Sequence, residues 1–151
     1  MARKQFSKSD IKKFIQEFPF AEKFMTKKSS VVDEDGLLFV DGKLSFIRSK
    51  NNQWFPALKL LLNNKDQDFL PKVIVDMGAV KFVVNGADVM RPGVVGTGFF
   101  EKNSFVVVVD ENNDAPLAVG RALFSSDDLI SEKSGKVVEI LHFVGDEYWS
   151  R

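Results

Sequence analysis

The chain has 151 residues, with 21 Lys+Arg against 21 Asp+Glu, one His and no Cys. That length holds one domain or two small ones; an apolar share of 44% with 15 Phe is ample for a packed core and excludes a disordered tail, and the lack of cysteine excludes disulfides and thiolate metal sites. The longest apolar runs, such as Phe105 to Val109, are far too short to span a bilayer, and the basic N-terminus is not followed by the apolar segment of a signal peptide, so the expected location is cytoplasmic with no membrane partner.

Ile11, Phe14, Ile15 and Phe18 recur at i, i+3, i+4 and i+7, which predicts a first helix with one apolar stripe. Ser7 is placed to cap it, with Asp10 three residues on as the reciprocal partner of a capping box. Pro19 disfavours helical geometry at Phe18 and sets the expected end. Lys12 and Lys13 point off the stripe.

From about Ser30 to Ser49 the period changes to strands. Leu37 to Val40, Asp41-Gly42 and Lys43 to Ile47 form a hairpin signal, because Asp-Gly supplies the positive φ angles of a tight turn. A short helix with Leu58, Leu61 and Leu62 on one face follows Pro56. Asn63 to Asp68 is polar and is followed by Pro71, so the domain boundary is expected there, giving units 1–70 and 71–151.

The segment Val75 to Val94 reads as a strand end, a short helix closed by Asn85-Gly86, and a second strand stopped by Pro92-Gly93. Val80, Val83 and Val84 face the core, while Lys81 and Asn85, four apart, share a face with Gly78. Gly86 is free to take the left-handed conformation that ends a helix. The small corner at Gly86-Ala87 leaves room for a sugar-phosphate backbone to approach its amides, with Lys81 and Arg91 as phosphate contacts and Asn85 as donor and acceptor. A helix cap and turn with ordinary surface polar residues accounts for the same pattern.

The rest reads as strands. Ser104 to Asp110 is a continuous β-branched run, as expected of a strand buried on both faces. Asn112 to Asp114 is a turn. Ala115 to Phe124 is a strand in which Gly120 marks a bulge or a close backbone approach. A helical turn is expected at Asp127 to Ile130, then a strand over Lys136 to Val144, with Tyr148-Trp149 closing the chain. Short strands separated by turns, with few helices, point to a small closed or nearly closed barrel.

Catalytic constellations are missing from the sequence. His142 is the single histidine; it sits in an apolar strand, where a hydrogen-bonded core or rim role is the ordinary reading, and one His does not build a zinc site. No stretch matches G-x-x-x-x-G-K-[ST], and no Ser nucleophile sits in a strand–turn–helix elbow. Gly93, Gly96 and Gly98 are in the wrong order for a dinucleotide fingerprint and read as a loop between strands. The carboxylate pairs Asp33/Asp35 and Asp127/Asp128 lie in turn-like sequence, where solubility and capping explain them. No enzyme, cofactor or metal is expected.

Charge is unevenly spread. Met1 to Leu70 has 13 Lys+Arg against 9 Asp+Glu, and Pro71 to Arg151 has 8 against 12. Much of the excess lies before Ser29. Lys8, Lys12, Lys13, Lys27 and Lys28 are the candidates for a secondary basic patch, against the ordinary reading of a solvated face.

The segment VDMGAVKFVVNGADVMRPGV resembles the opening of a PUA domain, an RNA-binding module. Together with FPALKLL at Phe55 to Leu61, Leu70-Pro71, and LHFVGDEYW at Leu141 to Trp149, it resembles the malignant-T-cell-amplified-sequence family, eukaryotic ribosome-associated proteins with archaeal relatives. That resemblance covers nearly the whole chain. It implies an α+β protein, a small N-terminal α/β domain followed by a mainly β PUA pseudo-barrel of about six strands with one or two short helices. It also implies a non-catalytic binder of structured RNA, tRNA or rRNA, on the small ribosomal subunit, in translation initiation or ribosome recycling, with a density-regulated-type protein partner in eukaryotic relatives. The implied RNA-binding positions are Lys81, Asn85, Gly86, Ala87, Asp88, Met90 and Arg91, with His142 and Tyr148 beside them; Asp88 brings a negative charge to the groove. The alternative is a protein-interaction adaptor in which the N-terminal domain docks a translation partner and the barrel is mainly structural.

Overall fold

A computed structural model of the protein describes residues 2–64 and 68–151. The chain divides into two compact units, Met1–Ala57 and Leu58–Arg151.

The first unit runs β1 (Arg3–Gln5), α1 (Lys8–Glu17), β2 (Val31–Glu34), β3 (Leu37–Val40), β4 (Lys43–Arg48) and β5 (Trp54–Pro56). Its five strands form one antiparallel sheet in chain order. The predicted capping box is present: the Asp10 amide donates to Ser7 Oγ at 3.1 Å and the Ser7 amide to Asp10 Oδ2 at 2.9 Å. The Ser7 amide, and after it the Ser7 side chain, hold the Asp10 carboxyl below its ordinary pKa. Helix α1 ends at Phe18, and Pro19–Lys23 continues as a 3-10 turn. The Asp41-Gly42 hairpin takes φ of 50° and 83°, as the turn chemistry requires. Phe14 and Phe18 of the helix region meet Phe46 of β4 with ring centroids 4.7 and 5.6 Å apart, so an aromatic cluster joins helix to sheet. Strands β1 and β5 are not visible in the sequence, since three residues are too few to show a period of two.

The second unit runs α2 (Leu58–Asn63), β6 (Lys72–Val75), α3 (Met77–Val83), β7 (Val89–Met90), β8 (Val94–Thr97), β9 (Phe105–Asp110), β10 (Pro116–Ala122), α4 (Ser126–Ser131) and β11 (Lys136–Phe143). The sheet order is β7-β11-β10-β9-β6-β8, with β6 and β9 parallel and the other pairs antiparallel. The two edge strands, β7 and β8, are joined only by the 3-10 turn Arg91–Gly93. So short a link brings the edges together and curls the sheet into a nearly closed barrel. Its interior is filled by Val73, Val75, Val106, Val108, Val138 and their neighbours, with Leu129 of α4 and Val83 of α3 plugging it. Four of the six residues of β9 are fully apolar and buried, as the β-branched run predicts. At Gly120 the β10–β11 register shifts, and an added Cβ would lie 2.5 Å from Val138 and 2.6 Å from the Glu139 carbonyl, so both a bulge and a close approach are present.

Two expectations need adjusting, and the compact units part at Ala57/Leu58, ahead of the pattern break at Leu70-Pro71. Helix α2 buries Leu58, Leu60 and Leu61 and packs against β10, so it belongs to the second unit. Of the polar stretch Asn63 to Asp68, residues 65–67 lie outside the described residues. Leu62 is only partly buried, its place in the core taken by Leu60. Tyr148-Trp149 forms a turn, not a strand, because Asp146 draws the chain back on itself. Among the described residues no helix is long and apolar enough to cross a membrane.

Candidate nucleic-acid interface

Helix α3 starts where Asp76 leaves β6: its Oδ1 accepts the Ala79 amide at 2.9 Å, and its own amide donates to the Gly93 carbonyl at 2.9 Å. The helix closes on a Schellman motif. The Ala87 amide reaches back to the Phe82 carbonyl at 2.9 Å and the Gly86 amide to the Val83 carbonyl at 3.0 Å, with Gly86 at φ 89°. A Cβ at Gly86 would also lie 2.8 Å from the Phe143 ring. Glycine is therefore demanded twice, by conformation and by space.

Between α3 and β7 lies a groove of about 590 Å³. Gly78, Ala79 and Phe82 form one wall, and Ala87, Met90 and Pro92 the other. The lining is mainly apolar, and its two largest apolar side chains are open to solvent, Phe82 at 57% and Met90 at 50% exposure. Its charged lining residues are all engaged. Asp76 caps the helix. Asp88 accepts the Ile140 amide at 2.8 Å through Oδ1 and pairs with Lys136 at 2.8 Å through Oδ2. The Asp88 bond raises the Lys136 pKa. Asp88 thereby extends the pairing of β11 beyond the two-residue strand β7, and its charge is balanced, not free to repel a phosphate.

The predicted positions do not act as one set. Ala87, Asp88 and Met90 line the groove, with Gly86 at the helix end beside them. Lys81 on α3 and Asn85 just past its end are exposed; Lys81 Nζ lies 5.2 Å from the Phe82 ring centroid, and Asn85 Nδ2 donates to the Lys81 carbonyl at 2.8 Å. The Gly86 and Ala87 amides, expected to face a ligand backbone, are occupied by helix carbonyls instead. Arg91 lies in the 3-10 turn and not in a strand. Its guanidinium donates to the Val94 and Ile130 carbonyls, at 3.1 and 3.4 Å, tying that turn to α4.

His142 is the clearest correction among the predicted RNA contacts. It is 1% exposed. Its Nε2 accepts the Leu58 amide at 3.1 Å, so the ring is neutral with the proton on Nδ1, which donates to Asp146 Oδ2 at 2.8 Å. Burial pushes its pKa below the ordinary 6.5, against the opposing pull of Asp146. Asp146 also accepts the amides of Phe143, Tyr148 and Trp149 at 2.9, 3.0 and 3.0 Å. Tyr148 packs edge-on to His142 with centroids 5.8 Å apart. Both ring nitrogens are engaged within the fold, and no edge of His142 is left for a ligand.

Residues 71–144 match the PUA domain model. An uncharacterized protein of Methanocaldococcus jannaschii is 39% identical, with 95% of this chain and 93% of that protein aligned. Translation machinery-associated protein 20 of Saccharomyces cerevisiae is 32% identical over 91% of this chain and 83% of its own length, and malignant T-cell-amplified sequence 1-B of Xenopus laevis is 32% identical over 89% and 81%. The chain belongs to the malignant-T-cell-amplified-sequence family. A hypothetical protein of Pyrococcus horikoshii superposes with a TM-score of 0.83 at 34% identity, covering 99% of this chain and 98% of that one. The archaeal box H/ACA sRNP Nop10-Cbf5 complex contains a chain matched with a TM-score of 0.51 at 25% identity, over 64% of this chain and 29% of that one.

In this family member, sequence reasoning passed over Phe82 and Lys136. Phe82 carried a signal: it lies four residues after Gly78, on the helix face away from Val83, where a large aromatic has no core to enter. Lys136 carried none, since only the β7–β11 register brings it to Asp88.

Proposed function

We propose that the protein is a non-catalytic RNA-binding component of the translation machinery, whose PUA unit engages tRNA or small-subunit rRNA in initiation or ribosome recycling, in the cytoplasm. The observation that supports this most is the open α3–β7 groove in the PUA-matched segment, with Lys81 on the exposed face of the helix that walls it and Asn85 exposed just past its end. Phe82 and Met90 offer unpaired bases flat apolar surface, and Lys81 offers a cation for phosphate. The names of the yeast relatives place those proteins with the translation machinery, and the superposed archaeal chain of the Nop10-Cbf5 complex is part of an sRNP.

The test is binding of the full chain to tRNA and to small-subunit rRNA fragments at two salt concentrations, with Lys81→Glu and Phe82→Ala. The proposal expects binding that weakens with salt and weakens again in each variant. Equal binding by wild type and both variants removes the groove from the site.

One observation favours a second reading. The groove is mainly apolar and its charges are engaged, which also suits apolar side chains of a protein partner, of the density-regulated type. A partner retained after complete nuclease digestion, and lost in Phe82→Asp while RNA binding persists, would assign the groove to protein.

A further inference from the structure

The five-stranded sheet of the first unit has two ends of different electrostatic character. At one end, where β1 begins and β4 finishes, the charges are paired: Arg3 with Glu34 at 3.3 Å and Arg48 with Asp33 at 2.9 Å. At the other end the backbone gathers lysines from three separate stretches. The Phe6 amide bonds to the Val31 carbonyl at 2.8 Å, so the start of α1 with Lys8 lies beside the start of β2. The Asp41 amide bonds to the Ser30 carbonyl at 2.7 Å, and Asp41 Oδ1 accepts the Ser30 amide at 2.9 Å, which sets the β3–β4 hairpin tip, with Lys43, beside the same point. Just before it, Lys27 and Lys28 are presented on a turn ordered by Thr26 and Ser29: the Thr26 amide donates to Ser29 Oγ and the Lys28 amide to Thr26 Oγ1.

The nearest carboxylates are each bonded within the fold. Asp10 caps α1 and reaches Lys4, and Asp41 is bonded to Ser30. Among the described residues Lys8, Lys27, Lys28 and Lys43 make no ion pair, and all four are exposed. Adjacent strands are about 4.8 Å apart, so β1 to β4 spread these cations over about 15 Å, a row and not a point. Lys13 is not part of it, since it stands four residues before Glu17 on the solvent side of α1.

We propose that this end of the first unit is a phosphate-backbone contact surface for RNA, separate from the groove of the PUA unit and indifferent to base sequence. The inference rests on the RNA reading above. It accounts for a feature that reading leaves unexplained: the unit with the PUA match carries the negative half of the charge, and the cation of its groove lining, Lys136, is paired with Asp88. In this division the first unit supplies affinity that depends on salt, and the groove supplies selectivity.

The experiment measures log K against log salt for the full chain with tRNA and with an unrelated RNA stem of equal length. The triple variant Lys27→Gln/Lys28→Gln/Lys43→Gln is compared with a control triple variant, Lys50→Gln/Lys102→Gln/Lys133→Gln, which removes equal charge from exposed positions elsewhere. Removal of each phosphate-binding lysine should flatten the slope by about 0.7 to 0.9, so the first variant is expected to lose about 2 to 3 from the slope on both RNAs, and the control almost nothing. An unchanged slope in the first variant, or an equal loss in both, overturns the surface while RNA binding itself stands. Absence of wild-type binding to any RNA overturns the RNA reading instead. Loss of binding to anionic vesicles with RNA binding intact assigns the lysines to a membrane surface and also overturns it.

Discussion

The C-terminal turn and the α3–β7 groove belong to the same unit and draw on the same kinds of residue, aromatic rings beside carboxylates and one basic group. In the turn, Asp146 collects three backbone amides and a buried imidazole. In the groove, Asp88 collects one amide and one ammonium, and the aromatic ring beside it stays in solvent. The difference is what each carboxylate leaves uncovered. Where every donor points inward the region is structure, however suggestive its residues. Where the polar groups are satisfied but a large apolar surface remains bare, the region is the place to test for a partner.

The sharpest way to break this contrast is to remove the hub. Asp146→Ala leaves the Nδ1–H of His142 and three amides without their acceptor, and should destabilise the second unit by about 3–5 kcal/mol. The two tryptophans allow a clean measurement, since Trp54 lies in the first unit and Trp149 in the second. In a Trp54→Phe background, urea unfolding followed by fluorescence reports the unit that contains Trp149. A loss below about 1 kcal/mol would show that water replaces the hub without difficulty, and the turn would no longer count as structure.

Gly86→Ala probes the seam between the two regions, because Gly86 closes α3 while resting on Phe143, next to His142. A positive φ and a contact of 2.8 Å predict a cost of about 1–3 kcal/mol. The same fluorescence measurement checks it, and an unchanged midpoint would mean that the helix end shifts freely off Phe143.

Acid titration tests the closed region without changing its residues. The folded-state pKa of His142 lies below its ordinary 6.5, so the unfolded chain binds the proton more readily. The stability owed to neutral His142 is therefore complete above about 6.5 and is lost as pH falls through the lower folded value. The geometry agrees, since a proton on Nε2 would face the Leu58 amide. The urea midpoint of the second unit should fall on acidification, and His142→Gln, which cannot titrate, should flatten that part of the profile relative to wild type. An identical pH profile in the variant would take His142 out of the linkage.

How far the sequence discloses this contrast depends on the range of the interaction. The capping box at Ser7 and Asp10, the Asp41-Gly42 hairpin, the bulge at Gly120 and the glycine that ends α3 are all legible, because each is decided within a few residues by φ, by a side-chain bond or by lack of space. The long-range partners of Asp88 (Ile140 and Lys136), of Arg91 (Ile130) and of His142 (Leu58) are not. They are set by the β7–β11 register, by the short turn that closes the barrel, and by the docking of α2, and none of these leaves a local pattern. Family resemblance therefore put His142 among the RNA contacts, although the residue-level reading of a histidine in an apolar strand already pointed to the core. Phe82 fails in the opposite direction: the pattern assigns it neither to the core valines Val80, Val83 and Val84 nor to the Lys81/Asn85 face, and its exposure follows only from helical phase.

Phe82→Ala is the smallest change to the fold and the most informative about the groove. With its ring more than half exposed, removal should alter stability by no more than about 0.5 kcal/mol. If a base stacks there, RNA affinity should drop by about 5- to 100-fold, from a stacking contribution of about 1–3 kcal/mol. Salt dependence separates this from the lysines of the first unit, because stacking loss lowers affinity at every salt concentration and leaves the slope in place, whereas removing a phosphate-binding cation changes the slope. An RNA affinity unchanged in Phe82→Ala, together with loss of a protein partner, would keep the groove as an open site but give it to protein. RNA affinity and partner binding both unchanged would erase the contrast with the C-terminal turn, since the exposed ring would then be surface with no function attached.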